Sequence, residues 1–274
     1  MPSYMSLEEI QTALLETLVS FDAFCRDNDL RYSLSAGTLL GAVRHKGFIP
    51  WDADVDVAMP RPDFEHMRAL AGTIPEGFDL IDNKNSGFAY PFAKYRNLAY
   101  RAQEESSEGE VEGYIWVDIF PWDGVSSDEK ELAKLTRRIS WLKHRMTWLS
   151  VNVGKTYRDN LGKRIIAGCY AGLPGRKRRR LALIGRLDDL LATCDYQNSE
   201  RVCSLCSDST PRWTLDRERF EGSIPLEFCG RNFQAMTCWE DYLRSGYGDY
   251  MQLPPESQRE DHHRMKAWRV GDAE

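Results

Sequence analysis

Asp52, Asp54 and Asp56 fall on alternate positions of "WDADVDVAMP", among apolar neighbours. In extended chain, alternate residues share a face, and successive ones on that face lie about 7 Å apart. Val55 and Val57 then point the other way, into a core. Like charges so close to a low-dielectric interior are tolerated only if one carboxyl is protonated or a cation lies between them. A hard divalent ion suits carboxylate oxygens. Mg²⁺ (or Mn²⁺) is the expected cofactor, since Mg²⁺ keeps waters and accepts phosphate as a further ligand.

A second acid is set in the same style. In "GYIWVDIFPWDG", Asp118 lies between Val117 and Ile119, sharing a face with Trp116 and Phe120. If the two strands pair, Asp54, Asp56 and Asp118 form a three-carboxylate site, the expected catalytic and metal residues. The plainer alternative is a solvated sheet face. Ile49, Trp51, Met59, Trp116 and Phe120 around the acids argue against it.

Upstream, Gly37 and Thr38 stand after a short strand and before a short helix. Glycine lets backbone approach a ligand, and helix N-terminal N–H groups hold phosphate. Arg44, His45 and Lys46 bring positive charge toward the same edge, and Lys94 and Arg96 of "FAKYRN" are further candidates. Singly, each is more often a solvated surface charge. Together these parts describe a phosphoryl- or nucleotidyl-transfer site.

The rest of the chain frames that site. Residues 6–28 read as a helix capped by Ser6, with Ile10, Leu14, Leu18 and Phe21 at helical spacing. "DVDVAM", "GFDLIDN", "AYPFAKYRN" and "GYIWVDIF" read as strands, the last closed by Pro121. "SSDEKELAKLTRRISWLKHRMTWLSV" and "RKRRRLALIGRLDDLLATCD" are amphipathic helices. The expected organisation is a catalytic core over 1–126, a helical subdomain over 127–200, and a closing segment over 201–274 that folds back on the core.

Bulk properties exclude several classes. A net charge of −6 over 274 residues argues against general nucleic-acid binding. No basic leader or long apolar run suggests a signal peptide or membrane span, and seven scattered cysteines suit reduced thiols. A cytoplasmic location is expected.

"GTLLGAVRHKGFIPWDADVDVAMPRPDFEHM" closely resembles the signature of the LicD family, which includes fukutin-related proteins. "VDIFPWDG" and "YGDYMQLPPESQR" resemble its second and C-terminal blocks. The resemblance implies an α+β, nucleotidyltransferase-like mixed sheet with flanking helices and a helical insertion. It implies a transferase that moves a phosphorylated small group, phosphocholine foremost, from a CDP-activated donor to a hydroxyl of a cell-surface glycan or teichoic acid, releasing CMP. By resemblance, Asp54 and Asp56 are metal ligands, Asp118 is a third ligand or base, and Gly37 and Thr38 form the phosphate turn. Ala53 interrupts the family's usual acidic triplet and is expected to face away from the metal.

A choline head group needs aromatic faces. Trp51, Tyr90, Tyr114, Trp116 and Trp122 are candidates, with Asp52 beside them, although core or rim packing is the commoner role for any single one. The run Gly175–Arg180 suits an anionic acceptor or peripheral contact with the inner membrane surface. Cys203 and Cys206 lack a clear fourth ligand for zinc, so buried thiols are expected, and His262 and His263 are substrate-side groups or polar tail. Two other functions stay open: nucleotidyl transfer from an NTP, and a non-catalytic phosphocholine- or glycan-binding module.

Overall fold

A computed structural model of the chain describes residues 3–106, 109–150, 162, 165, 168–169, 173–206, 211, 213–259 and 265–271. Within the expected helical subdomain most of 151–172 lies outside the described residues, as do His262 and His263. The architecture is α+β. Helix α1 (Leu7–Asp27) starts at a capping box in which Ser6 and Glu9 satisfy each other's backbone N–H groups. There follow β1 (Ser33–Leu34), α2 (Ala36–His45), β2 (Asp56–Pro60), α3 (Arg61–Ala69), β3 (Phe78–Ile81), β4 (Ala93–Ser106) and β5 (Gly109–Val125). Helices α4 (Glu129–Ser150) and α5 (Arg176–Leu191) come next. The closing segment supplies β6 (Arg201–Cys203), β7 (Thr214–Asp216), α6 (Arg217–Glu221), the hairpin β8 (Ser223–Phe228) and β9 (Arg231–Met236), α7 (Trp239–Tyr247) and β10 (Lys266–Arg269).

The main sheet runs β1-β2-β5-β4-β10, with β3 also on β4, and β6 and β7 continuing from the far end of β5. Only the β2–β5 pair is parallel among these pairings. Ile115, Val117 and Ile119 are buried on one face with Tyr95, whose ring meets Phe21 of α1. The opposite face of β5 carries Trp116, Asp118 and Phe120.

Two details differ from the strand expectations. Pro121 does not end β5. The Asp118 N–H points toward β2, where it bonds the Val55 carbonyl, so by alternation position 121 faces the other edge. There β4 has ended opposite Ile119 and β6 begins only opposite Asp123. A proline without an N–H therefore costs nothing in that gap. Also, β2 begins at Asp56, so Asp52 and Asp54 lie in the extended approach to it. Ala53, Val55 and Val57 are nonetheless all buried in the main core, as the alternation requires.

Helices α4 and α5 bury a second apolar cluster that includes Ile139, Leu142, Ile184 and Leu187, against which Phe92 and Phe120 pack. A buried ionic staple ties this unit to the sheet. Arg61 and Arg68 of α3 both bond Asp188 of α5, and Arg61 also bonds Asp123 of β5.

Candidate active site

Asp56 and Asp118 are register partners across the parallel β2–β5 pair, so both carboxylates leave the same face of the sheet. Asp54 sits close enough for its charge to act on Asp118. The Trp116 indole N–H donates to Asp118 Oδ2 at 2.9 Å, and Lys94 Nζ lies 3.4 Å from Oδ1. Burial is the largest influence on Asp118 and pushes its carboxyl above the ordinary value, opposed by Lys94 and Trp116 and reinforced by Asp54.

The start of α2 is stapled to Asp56. The Asp56 N–H donates to Thr38 Oγ1 at 2.8 Å, and the Ser35 N–H donates to the Asp56 carbonyl at 3.0 Å. Ala36 adopts φ +44°, an uncommon backbone state for a residue with a side chain, and its N–H donates to the Tyr242 hydroxyl. A methyl group on Gly37 would lie 2.9 Å from Asp52 Oδ2 and 3.9 Å from Asp54 Oδ1. Glycine here lets the helix start press against two carboxylates.

A cavity of about 1000 Å³ opens beside this turn. One wall is α2 and the acid-bearing segment, with Gly37, Arg44, Trp51, Asp52, Asp54 and Asp56; the other is the C-terminal stretch from Tyr247 to Gln258. Arg44 holds that wall in place by donating to the carbonyls of Tyr250 and Gln252, at 3.1 and 3.5 Å. Tyr247 lines the cavity with the acids: partial burial first, then the neighbouring Tyr242, then the charges of Asp56, Asp54 and Asp52, push its hydroxyl above the ordinary value.

The family model described as LicD/FKTN/FKRP, nucleotidyltransferase domain, matches residues 29–175, just over half of the chain. The chain belongs to the LicD family. It is 29% identical over 267 residues to the lipopolysaccharide cholinephosphotransferase LicD of Haemophilus influenzae, covering 96% of this chain and 98% of that protein. It is 30% identical over 157 residues to the human ribitol 5-phosphate transferase FKRP, which is 56% of this chain but 27% of that one.

In this LicD-family chain Lys94 and Trp116 flank Asp118, and the other expected site residues lie apart from it. Lys46 is the left-handed C-cap of α2, roughly 14 Å of helix away from Gly37. Lys94 lies 3.5 Å from the centroid of the Trp116 ring, so that face already carries a cation. Tyr90 packs between Phe88 and Phe92 and carries Arg180 at 5.3 Å. Tyr114 carries Arg101 at 4.5 Å. Trp122 is 1% exposed and stacks on Phe220. Of the five aromatic candidates, only Trp51 lines the cavity.

Tyr247, Asp249 and Tyr250 line it too and were not foreseen by the sequence reading. Their block was legible as a segment folding back, but nothing local marks it as a wall opposite residues 200 positions earlier in the chain.

Among the described residues, no three or more His, Cys, Asp or Glu side chains are already gathered to hold a metal ion. Cys203 and Cys206 are both buried, and burial pushes the Cys206 thiol up to about 11. The acids still fit a hard cation that a ligand helps to bind. Their donors are carboxylate oxygens, and the missing Gly37 methyl leaves room beside Asp52 and Asp54. Mg²⁺ is commonly bound through one or two carboxylates plus substrate phosphates.

Proposed function

We propose that the chain is a phosphotransferase that moves a phosphorylated small group, phosphocholine foremost, from a CDP-activated donor to a hydroxyl of a cell-surface glycan or teichoic acid. The observation that carries this reading is the in-register Asp56–Asp118 pair beside the Gly37 turn. Support comes from membership of the LicD family and from similarity over nearly the whole chain to a protein named for cholinephosphate transfer to lipopolysaccharide. We also propose that this work takes place in the cytoplasm.

Asp54 and Asp56, with Asp118 behind them, would hold Mg²⁺ or Mn²⁺, which when bound offsets the charge of the donor diphosphate. Gly37 lets that diphosphate approach the start of α2, whose N–H groups face it. The cavity holds the donor's small group against Trp51, Tyr247 and Tyr250. The acceptor oxygen attacks the phosphorus bearing that group, the bond to the CMP oxygen breaks, and CMP leaves with the electron pair. The acceptor's proton passes to a carboxylate of the acidic cluster. Lys94 holds Asp118 in place from one side while Trp116 holds it from the other.

A CDP-polyol donor is the second reading. The similarity to FKRP favours it, as do the Trp116, Tyr90 and Tyr114 rings, whose faces already carry Lys94, Arg180 and Arg101. Nucleotidyl transfer from an NTP, which the wording of the family model allows, differs in its product. Incubation with Mg²⁺ and a panel of CDP-choline, CDP-ribitol, CDP-glycerol and NTPs separates them. CMP from CDP-choline supports the leading reading and CMP from a CDP-polyol alone the second. Pyrophosphate from an NTP overturns both.

A further inference from the structure

Helices α4 and α5 carry twelve Lys and Arg against four Asp and Glu, in a chain that is acidic overall at 36 against 42. One of those four acids, Asp188, is consumed in the buried staple with Arg61 and Arg68. Several of the cations are also spent internally. Lys143 bonds the Leu205 carbonyl, Arg176 bonds the Leu149 carbonyl, Arg179 bonds the Pro174 carbonyl and Arg180 covers Tyr90. The conspicuous basic run at 176–180 is therefore partly occupied in holding its own fold.

A different stripe is exposed, although its Arg137 also donates to the Ala133 carbonyl of its own helix. Arg137, Arg138, Trp141 and Arg145 stand at i−4, i−3, i and i+4 on α4, which is one helix face. Trp141 is 59% exposed, with the Arg145 guanidinium 4.5 Å from its ring centroid. Arg186 of α5 faces the stripe across a groove of about 720 Å³, whose floor is Leu142 and Leu190. Polar groups able to read sugar hydroxyls are sparse there: Asp189 and Thr193 complete the lining. Leu173, at the approach to α5, is 37% exposed.

An exposed tryptophan flanked by arginines on an amphipathic helix matches the water–lipid interface, where the indole sits at headgroup level and the cations meet lipid phosphates. We infer that the α4–α5 face docks on an anionic membrane surface through Trp141, Arg137, Arg138 and Arg186. The surface is separate from the acidic cavity, so the inference stands or falls independently of the proposed reaction.

Co-sedimentation of the full chain with vesicles tests it. Vesicles containing about one-third phosphatidylglycerol in phosphatidylcholine should bind the protein, pure phosphatidylcholine should not, and raised salt should release it. Each basic residue at such a surface contributes about fivefold to partitioning. The variant R137E/R138E/R186E should thus bind at least about a hundredfold more weakly, and Trp141→Ala several-fold more weakly. All four side chains are exposed, so circular dichroism and the melting temperature should match the wild type. CMP release from a soluble donor should also be unchanged. No binding to the anionic vesicles overturns the inference, as does equal binding by the variants. Capture of a soluble anionic glycan by this face without vesicle binding assigns it to an acceptor instead, and overturns it too.

Discussion

Asp56 on β2 and Asp118 on β5 stand directly opposite one another across a parallel strand pair, and Lys94 on β4 is the register partner of Asp118 from the other side. Two acids and one base are thus in line across three adjacent strands at a single level of the sheet. The backbone, not a loop, fixes their separation.

Replacing either acid by its amide keeps the shape and removes charge. Asp56→Asn and Asp118→Asn should each lower donor-dependent CMP release by at least about a hundredfold. The melting temperature of Asp56→Asn should not fall below the wild type, because the change relieves repulsion near the core, whereas Asp118→Asn also leaves Lys94 without its carboxylate partner and should melt no higher than the wild type. Steady-state kinetics beside thermal melts check both halves of the statement.

Gly37→Ala separates function from stability in another way. The added methyl meets Asp52 Oδ2 at 2.9 Å, and a carboxylate tip can swing aside. Alanine is also the better helix former. The variant should fold with unchanged or slightly higher stability while losing at least about tenfold in kcat/KM, because the methyl obstructs the approach of the diphosphate to the start of α2.

Most of the local structure was legible. Ser6 announced the α1 cap, and the parity of Ala53, Val55 and Val57 announced which way Asp54 and Asp56 would face. Asp118 was found because an acid in so apolar a strand needs a reason. The extent of β5 was not legible. Whether Pro121 ends a strand depends on which neighbour lies at its edge, and only the β4-to-β6 handover shows that edge to be empty. The roles of Lys46 and the aromatics were equally hidden. A charge or ring reads the same in sequence whether it meets a ligand, caps a helix or, like Trp122, stacks in the core.

The staple beneath α5 should matter for stability. Arg61→Met leaves Asp123 and Asp188 buried without their shared cation, and breaking such a pair costs about 3–5 kcal/mol. Burial alone would raise Asp188, but Arg61 and Arg68 hold it below the ordinary carboxylate value. The stability that Asp188 contributes is therefore present above its unfolded pKa and is lost as pH falls through the lower folded one. Urea melts of the wild type and Asp188→Asn between neutral and acid pH should converge as the pH drops.

At the alkaline end the sign reverses. Burial pushes the Tyr95 hydroxyl up to about 12, partly offset by its bond to Ser20. Stability from this group is complete below the unfolded value near 10 and is lost as pH rises through the folded value. Tyr95→Phe should flatten the fall in unfolding free energy between about pH 10 and 12 by roughly one proton's worth, or 1.4 kcal/mol per pH unit.

The most direct test of the acidic site is calorimetric titration of Mg²⁺ or Mn²⁺ into the protein, with and without CDP-choline. The account predicts weak uptake by the protein alone, because among the described residues no three-ligand group is gathered in advance. It predicts clear uptake when the nucleotide supplies phosphate oxygens, and loss of that uptake in Asp54→Ala. No metal uptake by the wild type in the presence of nucleotide, or the same uptake by Asp54→Ala, would contradict it.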